Sequence, residues 1–163
     1  MLIEIKHLIY LIIFWFPTKI GSLVRRRFLP ARIGGSSVLM AGGWVDNPRN
    51  LEIGERTFIN RSFYFNASGS ISIGNDVLIG PRVTIYSQNH CYKNSKKPIN
   101  EQGYELKPVA IADDVWICAN VTILPGVSID RGAVIGAGSV VAKNVEAYAI
   151  YAGNPAVKVS TRK

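Results

Sequence analysis

The chain has 163 residues, of which 48% are hydrophobic and 18% charged, with a net charge of +8; that is the balance of a globular chain with one core and an appendage. The basic excess gathers in residues 1–32, 89–110 and 156–163 and not along one face, which argues against a nucleic-acid-binding protein. Cys91 and Cys118 lie in no CxxC pair, which excludes a disulfide scaffold and predicts free thiols in a reducing cytoplasm.

Residues 1–32 are read as an apolar and basic helical leader. Leu8–Phe16 is an unbroken apolar run, shorter than the roughly 20 residues of a membrane-spanning helix. Pro17 ends it, and Lys19 and Arg25–Arg26–Arg27 follow. A signal peptide has the opposite charge order. Two placements fit this pattern. The leader lies in a membrane interface with its arginines on anionic head groups, or it packs on the rest of the chain or on a neighbouring subunit.

From Ile33 to residue 147 the chain repeats every six residues. The register runs Ile33, Leu39, Val45; Ile53, Ile59, Phe65; Ile73, Ile79, Ile85; Ile111, Ile117, Ile123; Ile129, Ile135, Val141. Glycine often follows the register residue, as at Gly34, Gly54, Gly74, Gly80 and Gly136, where it would tolerate corner dihedrals. The fifth position is small or β-branched, as at Thr57, Val77, Val115, Ala133 and Ser139. Each hexad reads as one short strand and one turn. Three hexads close a triangular coil, and coils stack about 4.8 Å apart, as neighbouring strands do. The fold class is therefore all-β, a parallel β-helix.

The breaks in the period place the insertions. Small corner extrusions fall at Pro48–Asn50 and near Ser68–Ser70. Residues 91–110, polar and containing Pro98, Gly103 and Pro108, leave the coil as a protruding loop. Residues 148–163 form a cap and basic tail, because the last coil would otherwise leave an open edge.

The chain has two histidines, His7 in the leader and His90. His90 ends the polar run SQNH where the coil opens to the long loop, a place with access for a general base. Cys91 follows it, but adjacent strand residues point to opposite faces, so a Cys–His nucleophile pair is disfavoured. Cys118 at a small corner position reads as a buried thiol.

The stretches IGNDVLIGPRVTIYSQNH, PVAIADDVWICANVTILPGVSIDRGAVIGAGSVVAKNV and AGNPA resemble the hexapeptide-repeat O-acetyltransferases, a left-handed β-helix family that includes sugar, nodulation-factor and streptogramin acetyltransferases. The resemblance covers residues 50–156. The leader sequence FPTKIGSLVRRRFLP is similar to the subset that modifies capsule, O-antigen or exopolysaccharide sugars at the inner face of the membrane.

The resemblance implies a left-handed helix and a homotrimer, with acetyl-CoA in the groove between two β-helices and a sugar or glycan acceptor entering from the loop end. It implies His90 as the catalytic base, with no metal required. Asn60, Ser68 and Asn89 fall at acceptor-binding places, Ser68 standing where some relatives carry an acid. Ala119 and Ala137 correspond to corners that pair with the pantetheine arm. Ala142–Lys143 replaces the family's Thr–Lys, and Lys143, Lys158 and Arg162 would meet the CoA phosphates as point charges. Val157 stands where the first tail cation is expected. Trp116 matches the family motif and reads equally as an outward residue at a trimer interface. The implied location is cytoplasmic, with peripheral contact to the membrane's inner face through residues 1–30.

A γ-type carbonic anhydrase would need three histidine ligands, which His7 and His90 cannot supply. A serine or antibiotic O-acetyltransferase and a non-catalytic β-helix scaffold are the alternative readings.

Overall fold

The computed structural model describes residues 12, 14–16 and 18–163. The hexads fold into strands mostly two or three residues long that form three parallel sheets, the faces of a left-handed triangular β-helix. The first face stacks Arg32–Ile33, Leu51–Ile53, Ile71–Ile73, Val109–Ile111 and Ser128–Ile129. The second begins with Val38–Leu39, Phe58–Ile59, Leu78–Ile79, Trp116–Ile117 and Val134–Ile135. The third stacks Trp44–Asp46, Tyr64–Asn66, Thr84–Tyr86, Thr122–Ile123 and Val140–Val141.

The register residues pair directly between coils. Ile33, Ile53, Ile73, Ile111 and Ile129 form one such column on the first face. All of the register residues are buried except Ile33, which lies at the open end. Each fully buried aliphatic side chain stabilises the fold by about 1.5–3 kcal/mol. The fifth-position hydroxyls are also buried, and those of Ser37 and Thr57 are satisfied by the neighbouring coil. Ser37 Oγ donates to the Gly54 carbonyl at 2.6 Å, and Thr57 Oγ1 to that of Gly74 at 2.8 Å.

The glycines after the register residues have a different role from the expected one. The left-handed dihedrals fall two residues later, on Arg56, Asp76, Arg82, Asp114, Asn120 and Gly138. Gly74 and Gly80 are needed for close approach of the coils. A Cβ on Gly80 would stand 2.7 Å from the Ala119 nitrogen, and one on Gly74 2.8 Å from the Ala112 carbonyl carbon.

Pro48–Asn50 makes a single 3-10 turn at its corner. The long insertion is not a plain loop over residues 91–110. It rises on an antiparallel pair, Gln88–His90 with Tyr104–Leu106, and the coil resumes at Val109, opposite Ile71. Two polar strands pairing with each other satisfy main-chain groups that a free loop would leave to water. At the C-terminal end, Ala149–Gly153 extends the second face and pairs antiparallel with Ala156–Thr161.

At the other end an α-helix, Thr18–Phe28, covers the open edge of the first coil. Ser22 Oγ accepts the Leu39 N–H at 3.0 Å, and Arg25 donates to the Leu39 and Phe16 carbonyls at 2.9 and 2.8 Å. Phe14 is buried against Trp44 and Phe63. The leader therefore packs on the β-helix, one of the two placements expected for it. The apolar run Leu8–Phe16 lies partly, and His7 wholly, outside the described residues. Among those residues no helix is long and apolar enough to cross a membrane.

Candidate active site

His90 lies at the end of the first arm of the hairpin, opposite Tyr104, and the two rings are 4.5 Å apart between centroids. Its side chain is exposed, and its main-chain N–H is held by Asn89 Oδ1 at 3.0 Å. A cleft of about 350 Å³ opens beside it, lined by Asn66, Tyr86, Gln88, Asn89, His90, Leu124 and Pro125. Three successive coils meet there. Asn66 comes from the second coil, Tyr86 and the hairpin arm from the third, and Leu124–Pro125 from the fourth.

Ser68 is adjacent to this cleft through Asn66. Its N–H donates to Asn66 Oδ1 at 3.1 Å, and its Oγ accepts from Asn47 Nδ2 at 2.8 Å. The Asn66 carbonyl in turn accepts from Ser87 Oγ at 2.7 Å. The corner between the third and first faces is thus tied through side chains from the first coil to the third. Asn89 lines the cleft as well.

Asn60 does not line the cleft. It follows Phe58–Ile59 at the corner between the second and third faces, where its Oδ1 accepts the Arg61 N–H at 2.8 Å. Ala119 and Ala137 stack along that same corner, joined by the Gly138 N–H to the Ala119 carbonyl at 2.9 Å. Gly80 lies beneath Ala119, where a Cβ would meet the main chain, and the exposed Arg82 pairs with Asn120 on the same corner at 2.6 Å.

Ala142 and Lys143 are exposed on the other edge of the third face, two coils beyond His90. Lys158 pairs with Glu146 at 2.6 Å. Arg162 pairs with Asp114 at 3.0 Å and also donates to the Gly132 carbonyl at 3.1 Å, beside Trp116. One chain therefore divides the expected site, with His90, Ser68, Asn89 and Lys143 on one edge and Asn60, Ala119 and Ala137 on another, and it leaves Lys158 and Arg162 apart from both, at the corner between the first and second faces.

Sequence reasoning missed Asn66 and Tyr86. Both directly follow a register residue, Phe65 and Ile85, where polar or bulky outward side chains replaced the usual small one. The Cys118 thiol is pushed up by burial, as suits a packed and unreactive cysteine. Cys91 is partly buried, and its N–H bonds to the Gly103 carbonyl. Among the described residues no group of His, Cys, Asp and Glu could hold a metal ion. A hollow of about 500 Å³ on the first face, larger than the cleft, is lined by Gly34, Gly54 and Gly74 and by the ion-paired Arg32 and Glu52.

Residues 108–143 match the family model described as bacterial transferase hexapeptide (six repeats). The galactoside O-acetyltransferase of Escherichia coli (strain K12) is 36% identical over 140 residues, 82% of this chain and 64% of that protein. The chain spans about half the length of other curated relatives it matches, such as putative acetyltransferases of Schizosaccharomyces pombe and Staphylococcus aureus. Among solved structures, a maltose O-acetyltransferase from Clostridium difficile 630 is 30% identical with a TM-score of 0.78, covering 88% of this chain and 75% of that one. A hexapeptide-repeat-containing acetyltransferase from Vibrio cholerae O1 biovar eltor, complexed with acetyl coenzyme A, is 28% identical with a TM-score of 0.84, covering 94% and 82%.

Proposed function

The chain belongs to the hexapeptide-repeat transferase family, and from that premise we propose that it is an O-acetyltransferase that moves an acetyl group from acetyl-CoA to a sugar hydroxyl of a surface glycan or its precursor. The observation that carries this reading is His90, exposed at the rim of a cleft that three coils build. Acetyl-CoA supplies the activated acetyl group. His90 takes the proton of the acceptor hydroxyl as that oxygen attacks the thioester carbonyl, then returns it to the departing thiolate. Main-chain N–H groups at the coil corners are the donors for the tetrahedral oxyanion.

The division of the site between two edges of one chain favours a homotrimer, in which one copy brings Asn60, Ala119 and Ala137 to the His90 edge of the next. The second face supports this reading. Phe58, Leu78 and Trp116 are in register on it and exposed, an apolar column suited to cover by another copy. Lys143 is the cation for the CoA phosphates on the His90 edge. Lys158 and Arg162, held by Glu146 and Asp114 at the corner between the first and second faces, are not part of that edge.

The same reading puts the protein in the cytoplasm, in peripheral contact with the inner face of the membrane. Ile12, Trp15, Ile20, Leu23 and Phe28 point away from the β-helix, and Arg27 is exposed among them. Such a face suits the boundary of an anionic bilayer.

The test is thiol release from acetyl-CoA over a panel of oligosaccharide acceptors, with His90→Ala alongside. Acceptor-dependent release that falls roughly 10²–10⁴-fold in the variant is expected for loss of a general base. No release with any acceptor, and no rise in Tm with CoA, would leave a non-catalytic scaffold as the better reading.

A further inference from the structure

The third face next to His90 has a feature that acetyl transfer as such does not require. Trp44 and Tyr64 are in register on adjacent strands, as are Asp46, Asn66 and Tyr86. Trp44 Nε1 donates to Asp46 Oδ1 at 2.8 Å, and the Tyr64 hydroxyl donates to Asp46 Oδ2. Both oxygens of one carboxylate are thereby occupied in holding two aromatic side chains. The Tyr64 ring packs on Tyr86 at 5.7 Å and 62°. Tyr86, 36% exposed, then presents its ring to the cleft, with Leu124 and Pro125 also lining it and His90 at the rim.

We propose that Tyr86 is the acceptor platform, with the apolar C–H face of a pyranose ring packing on the Tyr86 ring and a hydroxyl on its edge directed to His90. This rests on the acetyltransferase reading above and gives its acceptor a place. A pyranose has an apolar face and a polar rim, and the cleft answers with an aromatic ring and the polar groups of Asn66, Gln88 and Asn89. Asp46 is a positioning residue. It touches no ligand and acts through Tyr64, which sets the angle of Tyr86.

Steady-state kinetics on the full chain test this with Tyr86→Ala, Tyr86→Phe and Asp46→Asn. Tyr86→Ala is expected to raise the acceptor KM roughly three- to tenfold and leave the acetyl-CoA KM unchanged. Tyr86→Phe, which keeps the ring, is expected to restore the parent value. Asp46→Asn keeps the shape but weakens both hydrogen bonds, and is expected to raise the acceptor KM by less than Tyr86→Ala. An unchanged acceptor KM in Tyr86→Ala, or an equal rise for both substrates, overturns the proposal.

Direct binding separates this proposal from the reaction it rests on. Saturation-transfer NMR with methyl pyranosides reads the platform whether or not acetyl-CoA turns over. Ring-proton saturation lost in Tyr86→Ala and retained in Tyr86→Phe supports the platform even if the parent chain proves inactive. No saturation of any pyranoside in the parent chain overturns it.

Discussion

Arg25 donates its Nε–H to the main-chain oxygen of Leu39 at 2.9 Å from a side chain that is 0% exposed. A guanidinium is costly to bury, and burial lowers its pKa. It is held because the carbonyls of Leu39 and Phe16 are acceptors that the helix would otherwise cover. The arginine thus joins the leader to the first coil.

Arg25→Met keeps the apolar stem and removes the donors. It is expected to lower stability by about 1–3 kcal/mol for each carbonyl left without its partner. Urea unfolding measures the loss, and limited proteolysis should cut the leader first. A variant as stable as the parent, with the leader still protected, would show that apolar packing of Phe14 and Leu29 suffices.

Two glycines give opposite expectations. A Cβ on Gly80 meets the main chain of Cys118 and Ala119, whereas one on Gly35 meets nothing within 4 Å. Gly80→Ala should destabilise by about 1–3 kcal/mol, as overpacking does. Gly35→Ala should be neutral or stabilise by up to about 1 kcal/mol, because it restricts the unfolded chain. Thermal unfolding of the pair decides whether close approach of the coils, and not glycine's flexibility, sets these positions.

Glu55 ties the second coil to the first. The Ser36 hydroxyl and the N–H groups of Ser36 and Gly35 donate to its carboxylate, at 2.6 to 2.9 Å, and hold its pKa down to about 2. A depressed carboxylate pKa contributes stability that is full above the unfolded value, here 4.5, and is lost as pH falls through about 2. Glu55→Gln should therefore unfold more readily than the parent at pH 6, with the gap narrowing between pH 4.5 and 2. Acid titrations followed by circular dichroism read this, and a gap independent of pH would contradict it.

The outward face of the leader is tested by vesicle flotation. The parent chain should float with vesicles containing phosphatidylglycerol and less with phosphatidylcholine alone, because Arg27 favours anionic head groups. Ile20→Glu together with Leu23→Glu should abolish flotation without lowering transfer to a soluble acceptor, since both side chains are exposed on the helix that covers the first coil and neither lines the cleft. If the parent chain fails to float on either, membrane contact through this face is ruled out.

The β-helix was legible in the sequence because an inward side chain every six residues leaves a period that needs no tertiary knowledge. From Ile53 to Val141 each register position is buried where the period places it. His90 was legible for a related reason, standing where the period breaks. Other features depend on which coils stack. Asn66, Tyr86 and Leu124 share one cleft only because coils on the third face bring residues 20 and 38 apart into register, as Phe65 with Ile85 and Ile85 with Ile123. Asn60 and His90 look close on the chain, yet the triangular cross-section sets them on different corners. The burial of Arg25, in a run that reads as a basic surface, was settled by the open strand edge it covers, which carries unpaired carbonyls that a charge in the sequence does not reveal.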